Sequence, residues 1–97
     1  VEGYPGYFRL SPEYQPKKSL DVINDGNKNN QVWLDITQNV TGQFWKITPV
    51  AGKKNRYKLS PHFQPLLSLA NDGITTKVEL RKTGNAPAQV WIITEAP

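Results

Sequence analysis

Cysteine and methionine are both absent from this 97-residue chain, and histidine occurs once, as His62. Without cysteine, the chain cannot form disulfides, cysteine-ligated zinc sites, iron–sulfur clusters or a thiol nucleophile. A catalytic triad or a histidine-rich metal site would depend on His62 alone, and no motif surrounds it. Long apolar runs are missing too: none approaches the ~18 residues of a transmembrane helix. We therefore expect no enzyme, no metal or cofactor, and no membrane span.

The charge balance is mildly basic, with 12 Lys+Arg against 8 Asp+Glu and a formal net charge of +4. A length of 97 residues allows one domain at most, and a hydrophobic content of 37% is not that of a disordered chain, so 1–97 is predicted to be one module. A basic cluster lies near the middle of the chain, at Lys53, Lys54, Arg56 and Lys58. A solvated face is its simplest interpretation, and binding of an anionic glycan or of nucleic acid is the alternative. The modest charge and the lack of an RNA-binding motif disfavour nucleic acid.

An internal duplication organises the sequence. The stretch 8–20 matches 57–69 at an offset of 49, with Leu-Ser-Pro, Gln-Pro and Ser-Leu identical in both copies. The stretch 32–48 matches 78–94 at an offset of 46, with Val, Leu, Thr, Asn, Gln, Trp, Ile and Thr identical. The offset changes near Asn-Asp-Gly, a turn sequence that occurs in both copies, where deletions are best tolerated. Repeat 1 covers about 7–49 and repeat 2 about 56–95, each unit being about 46 residues long.

Each repeat predicts four short strands rather than helices. Apolar and polar residues alternate along 18–23 and 31–36, which is the period of a half-buried strand. Val32, Leu34 and Ile36 are predicted to face inward together, which turns Trp33 outward, and Asp21 likewise lies out of phase with its apolar neighbours. The eight predicted strands are 7–10, 18–23, 31–36, 44–48, 56–59, 66–69, 76–80 and 90–94. The chain is therefore predicted to be all-β.

The repeats resemble the ricin-type β-trefoil lectins. Each repeat begins with the family's aromatic-x-Leu pattern and ends in Gln-x-Trp, as Gln43-Phe44-Trp45 and Gln89-Val90-Trp91. The resemblance covers 7–95 and implies a β-trefoil-like fold, with secretion or cell-surface display by analogy. The family has three units where this chain has two, so a third repeat is missing, or copies associate to complete the fold, or two units stand alone. A homo-oligomer is one of these possibilities.

The resemblance also implies a shallow sugar pocket in the first repeat. Asp21 takes the family's carboxylate position, Gln31 and Trp33 take its amide and stacking positions, and Gln43 supports them. The asparagine that precedes Gln-x-Trp in the family is Gly42 here, so one hydrogen-bond partner is missing.

The second repeat keeps the scaffold pattern and loses the pocket residues. Ala70 replaces Asp21 and Glu79 replaces Trp33. We expect a glycan-binding module with one site, in the first repeat. The alternative is a non-catalytic protein-interaction or structural trefoil module, such as a toxin subunit or an inhibitor, with decayed sugar pockets. In that case Trp33 would lie at an interface. Trp45 and Trp91 are predicted to be core residues, and Gln43 and Gln89 to stabilise turns.

Overall fold

The computed structural model describes residues 1–23, 30–71, 73–74 and 77–94. The strands are β1 (Tyr7–Phe8), β2 (Lys18–Ile23), β3 (Gln31–Ile36), β4 (Trp45–Pro49), β5 (Arg56–Pro61), β6 (Leu67–Asn71), β7 (Val78–Lys82) and β8 (Trp91–Ile92). Two short 3-10 helices, Thr41–Gln43 and Pro87–Gln89, precede β4 and β8. The prediction of an all-β chain is confirmed. The predicted turn at Asn24-Asp25-Gly26, the predicted strand start at Thr76 and the end of the second repeat at Glu95 lie outside the described residues.

Several strand ends differ from the predicted ones for reasons of hydrogen bonding. β1 ends at Phe8 because Leu10 turns away to accept a hydrogen bond from the Leu20 N–H group, at 2.8 Å. β5 continues past Leu59 as far as Pro61, which lies opposite Trp45. The neighbouring His62 N–H donates to the Phe44 carbonyl at 2.7 Å and holds this end of the ladder.

The strands form two antiparallel four-stranded sheets. One sheet has the order β1-β4-β5-β8, and the other has the order β2-β3-β7-β6. The second sheet consists of two hairpins, which meet at the single residue pair Gln31 and Glu79. The hairpin of each repeat therefore lies next to the hairpin of the other.

The core lies between these layers and draws on both repeats. Its buried members are Val22, Trp45, Leu59, Leu69 and Leu80. They come from five different strands of the two sheets, namely β2, β4, β5, β6 and β7. The alternation predicted for the strands thus places one apolar face of each hairpin on a shared core.

Equivalent hydrogen bonds repeat in the two halves. The Trp45 indole Nε1 donates to the Leu20 carbonyl at 3.0 Å, and the Trp91 indole Nε1 donates to the Leu69 carbonyl at 2.8 Å. Each half also contains a chain of three hydroxyl groups, Ser11–Ser19–Thr37 in the first and Ser60–Ser68–Thr83 in the second. Trp45 is fully buried as predicted, whereas Trp91 is partly buried and packs against the edge of the core.

The predicted inward face of β3 is only partly correct. Val32 packs against the core, but Leu34 is 40% exposed and Ile36 is 63% exposed. β3 pairs with β7 through one residue pair at its start, so β7 does not extend along the rest of the strand. The far end of the apolar face of β3, at Leu34 and Ile36, is also left partly uncovered by the rest of the chain that the structure describes.

Candidate functional site

Asp21 and Trp33 lie directly opposite each other in the β2–β3 ladder. Directly paired residues of antiparallel strands project from the same face, with their Cβ atoms about 5 Å apart. Trp33 is 53% exposed, so one face of its indole is open to solvent, and Asp21 is partly buried beside it. The structure thus brings together the two residues that the sequence placed in the carboxylate and stacking positions.

The buried Gln43 side chain forms a hydrogen bond with the Asp21 carboxylate. Its side-chain Nε2 donates to Asp21 Oδ2 at 3.2 Å and to the Ile36 carbonyl at 3.0 Å, and its Oε1 accepts from the Gln38 N–H at 2.9 Å. Gln43 has no exposed surface, so it can orient Asp21 but cannot itself contact a ligand. The prediction that Gln43 stabilises the turn is confirmed, and the bond to Asp21 adds a second role for the same amide.

Gly42 leaves space for the carboxylate. A Cβ atom at this position would lie 2.6 Å from Asp21 Oδ1, closer than any real contact permits. The sequence presented Gly42 only as the loss of an expected hydrogen-bond partner. The structure shows instead that a side chain here would displace Asp21. The sequence offers one hint of this close approach. The repeat that has Asp21 also has Gly42, whereas the other repeat has Ala70 and Ala88 at the equivalent positions.

Gln31 begins β3 and is exposed on the same side of the hairpin as Trp33. Its position is fixed by the preceding residue, because the Asn30 carbonyl accepts a hydrogen bond from the Leu80 N–H at 2.7 Å. Asn30 adopts a left-handed conformation with φ of 69°, which turns the chain sharply into the strand. The candidate amide is therefore anchored to the second repeat as well as to the first.

Glu79 is a neighbour of the site that the sequence did not reveal. It pairs directly with Gln31 across the junction of the two hairpins. Its carboxylate also forms an ion pair with the Arg81 guanidinium group, at 2.8 Å. In the sequence Glu79 counted only as the residue that replaces Trp33 in the second repeat. The meeting of the hairpins, which no local pattern encodes, brings it to the edge of the first site.

The second repeat has the same frame without the pocket chemistry. Ala70 pairs with Glu79 at the register position that Asp21 and Trp33 occupy in the first repeat. Gln89 is buried and bonds the Gly84 N–H and the Lys82 carbonyl, just as Gln43 bonds its own turn. With alanine at position 70, the Gln89 amide has no carboxylate to orient. The frame is preserved in the second repeat because it serves the fold.

The arrangement in the first repeat combines an oriented carboxylate, an open aromatic face and an amide. A carboxylate accepts several hydrogen bonds, and an indole offers an apolar, electron-rich surface. Together they suit a neutral ligand with adjacent hydroxyl groups and one apolar face. Among the described residues, no group of three metal-ligating side chains comes together. None of the described helices is long and apolar enough to span a bilayer.

Comparison with solved structures identifies the fold. A mosquitocidal holotoxin superposes with a TM-score of 0.85 at 15% identity, over 95% of this chain and 12% of the toxin chain. The designed 3-fold symmetric protein ThreeFoil superposes with a TM-score of 0.80 at 19% identity, over 99% of this chain and 69% of its own.

The fold is β-trefoil-like, with two four-stranded repeats. No protein-family model matches the sequence, and no curated protein sequence matches it. The chain spans 12% of the length of the holotoxin chain. It spans about two-thirds of the threefold design, which agrees with the presence of two repeats in this chain. At these sequence identities the structural likeness establishes the fold but not the membership of a family.

Proposed function

We propose that this chain is a non-catalytic, ricin-type carbohydrate-binding module whose first repeat binds a glycan. The observation that carries the proposal is the pairing of Asp21 with Trp33 on one face of the β2–β3 hairpin. The carboxylate is supported by the buried Gln43 amide, and Gly42 leaves room for it. A carboxylate that served only as a solvated surface group would need neither the hydrogen bond from Gln43 nor the space at Gly42.

Each residue has a distinct role in this proposal. The indole of Trp33 stacks on the apolar face of a pyranose ring, and Asp21 accepts hydrogen bonds from two adjacent sugar hydroxyls. Gln31 completes the polar set from the exposed start of β3, and Gln43 positions Asp21 without touching the sugar. A shallow site of this kind binds weakly, so strong attachment would come from several sites acting together. Assembly of copies into a homo-oligomer, and display outside the cell, belong to the same proposal.

The second candidate function is a protein-interaction or structural trefoil module with decayed pockets. The second repeat supports this alternative, because Ala70 and Glu79 leave it without an acceptor and stacking pair. The exposed Trp33 is compatible with either function, since an aromatic side chain can serve a protein interface as well as a sugar. The two functions differ in what removal of the indole would change.

The test is the Trp33→Ala variant, compared with Tyr14→Ala, which removes an exposed aromatic side chain outside the β2–β3 hairpin. Both proteins are applied to an array of neutral mono-, di- and oligosaccharides, and their mass is measured by light scattering. We expect Trp33→Ala to lose glycan binding by at least about tenfold while its melting temperature and mass stay unchanged, and Tyr14→Ala to retain most binding. A wild-type protein that binds no glycan, with a Trp33→Ala variant that changes its assembly, would favour the protein-interaction module.

A further inference from the structure

A second cleft lies away from the Asp21–Trp33 face. It has a volume of about 430 Å³ and runs from the outer face of β4 and β5 to the start of the second hairpin. This volume is within the range of small-molecule sites, which is roughly 300–1,000 Å³. None of the residues that take part in the candidate sugar site contributes to its lining.

Three lysines line this cleft, from three different strands. Lys46 lies on β4, Lys58 on β5 and Lys82 at the end of β7. Lys58 pairs with Thr48, two residues from Lys46, so Lys46 and Lys58 are diagonal neighbours about 7–8 Å apart between Cα atoms. In the sequence Lys58 belonged to the basic cluster at 53–58, and nothing connected it with Lys46 or Lys82.

The positive charge of the cleft is uncompensated in the described part of the chain. None of the residues named in its lining is acidic, and the ion pair found among the described residues is the one between Arg81 and Glu79. The repulsion between Lys46 and Lys58 is weaker than that between directly opposite residues, so the three lysines can share the cleft. Three ammonium groups around one concave surface attract an anion to the space between them.

The hydroxyl chain of the second repeat adds a donor to the same cleft. Ser60, Ser68 and Thr83 all line it and are joined by two hydrogen bonds, of 3.1 and 2.6 Å. Three hydroxyl groups carry three protons, and two bonds use two of them, so one O–H remains free to donate. Ser68 is fully buried, which leaves Ser60 or Thr83 as the end that can point to a ligand.

The equivalent positions of the first repeat lack this chemistry. Lys82 corresponds to Ile36 and Lys58 to Arg9, whose guanidinium group is already bonded to the Asn39 side chain and lies over the Phe44 ring. The cleft beside the first hydroxyl chain is lined mainly by apolar residues. The basic cleft thus lies where the repeats meet, with Lys46 from the first repeat and Lys58 and Lys82 from the second, whereas the Asp21–Trp33 pair belongs to the first repeat alone.

We propose that this cleft is an oxyanion-binding site for a sulfate or phosphate ester carried on a compact ring. Lysine ammonium groups suit a tetrahedral oxyanion, because they act as point charges from several directions. The free hydroxyl donates to one of its oxygens. Pro61, Pro65 and Leu66 supply an apolar wall for the carrier. This site does not depend on glycan binding at Trp33.

The test is a titration of the full chain with glucose 6-sulfate, glucose 6-phosphate and neutral glucose, followed by calorimetry and backbone amide NMR. We expect at least one of the two esters to bind and to shift the amide signals of residues 46, 58 and 82, with glucose leaving them unchanged. Comparison of the two esters decides whether sulfate or phosphate is preferred. The NMR mapping uses the wild-type protein and therefore holds even if a variant fails to fold.

A matched pair of triple variants tests the lysines. Lys46→Ala/Lys58→Ala/Lys82→Ala removes the cleft charges, and Lys17→Ala/Lys53→Ala/Lys54→Ala removes the same number of charges outside the lining. We expect the first variant to lose ester affinity by at least about tenfold and the second by less than about threefold. Equal losses in both, binding of glucose as tight as that of the esters, or no binding of either ester would overturn the proposal. Trp33→Ala should leave ester binding unchanged, which separates failure here from failure of the lectin proposal.

Discussion

Trp45 in the first repeat is fully buried, whereas its counterpart Trp91 in the second repeat is only partly buried. Both indoles make the same hydrogen bond to the carbonyl of a strand in their own hairpin. The difference comes from neighbouring strands. Trp45 lies between β1 and β5, opposite Phe8 on one side and Pro61 on the other, while Trp91 pairs with Tyr57 of β5. Equal sequence motifs therefore gain unequal burial from their place in the fold.

The two repeats also differ in the side chains that they place at the surface. The first repeat carries the oriented carboxylate and the exposed indole, whereas the second supplies two of the three lysines of the basic cleft, Lys58 and Lys82. The bonds that shape each repeat are the same, including those of Gln43 and Gln89 to their turns. Comparison of the repeats thus separates residues that serve the frame from residues that are free to acquire a binding role.

The largest expected effect is on the two tryptophans. Trp45→Ala should lower the free energy of unfolding by about 3–5 kcal/mol, because it empties a fully buried site. Trp91→Ala should cost about half as much, because part of the indole is already exposed. Urea unfolding followed by circular dichroism measures both, and Trp45→Phe serves if the alanine variant does not fold. An equal cost at both positions would mean that Trp91 is covered in solution, as by another copy of the chain.

The next effect compares two equivalent leucines. Leu80 is 3% exposed and Leu34 is 40% exposed. Leu80→Ala should therefore cost about 3 kcal/mol and Leu34→Ala about 1 kcal/mol. The measurement is again the free energy of unfolding, made at several protein concentrations. A cost for Leu34→Ala that rises with protein concentration would show that association buries the open end of β3.

The two glutamines should have similar effects on stability and different effects on binding. Gln43→Ala and Gln89→Ala each leave a backbone N–H and a carbonyl without their side-chain partner, which should cost about 1–3 kcal/mol. Only Gln43→Ala should also weaken glycan binding, because Asp21 loses its donor. Equal loss of glycan binding in both variants would indicate that the effect comes from destabilisation and not from the position of Asp21.

The smallest effect on the fold is expected at Gly42. Gly42→Ala should displace the Asp21 carboxylate and reduce glycan affinity by about tenfold, equivalent to about 1.4 kcal/mol. The free energy of unfolding should change by less than about 0.5 kcal/mol, because the displaced atom belongs to a side chain at the surface. Ala88→Gly is the control in the second repeat and should leave binding unchanged. Unaltered glycan affinity in Gly42→Ala would show that the orientation of Asp21 is unimportant.

Much of the frame could be predicted from the duplication. Two copies of Gln-x-Trp in register, with period-2 alternation before them, predict the strands, the buried Trp45 and the turn-stabilising amides. The bounds of β2 and β3 were predicted to the residue. The alternation also predicts that Asp21 and Trp33 both point outward, but it does not fix the register that sets them directly opposite each other.

The remainder depends on contacts between the repeats, which no local pattern encodes. The exposure of Leu34 and Ile36 reflects what lies beside β3 and not the alternation within it. Glu79 reaches Gln31 only because the two hairpins meet at that pair. Lys46, Lys58 and Lys82 are distant in sequence and share a cleft only once β4, β5 and the second hairpin pack together. The close approach of Gly42 to Asp21 likewise becomes visible only in three dimensions.

The most direct test of the account uses the three tryptophan indoles as reporters. The Nε1–H signals of Trp33, Trp45 and Trp91 are followed by NMR while the wild-type chain is titrated with the neutral glycan that the array selects, or with a panel of neutral disaccharides if it selects none. Since Trp45 and Trp91 donate to backbone carbonyls inside the fold and Trp33 is open to solvent, we predict a saturable shift of the Trp33 signal alone. A shift of Trp91 without one of Trp33, or no shift with any glycan, would contradict the proposal that the first repeat binds sugar.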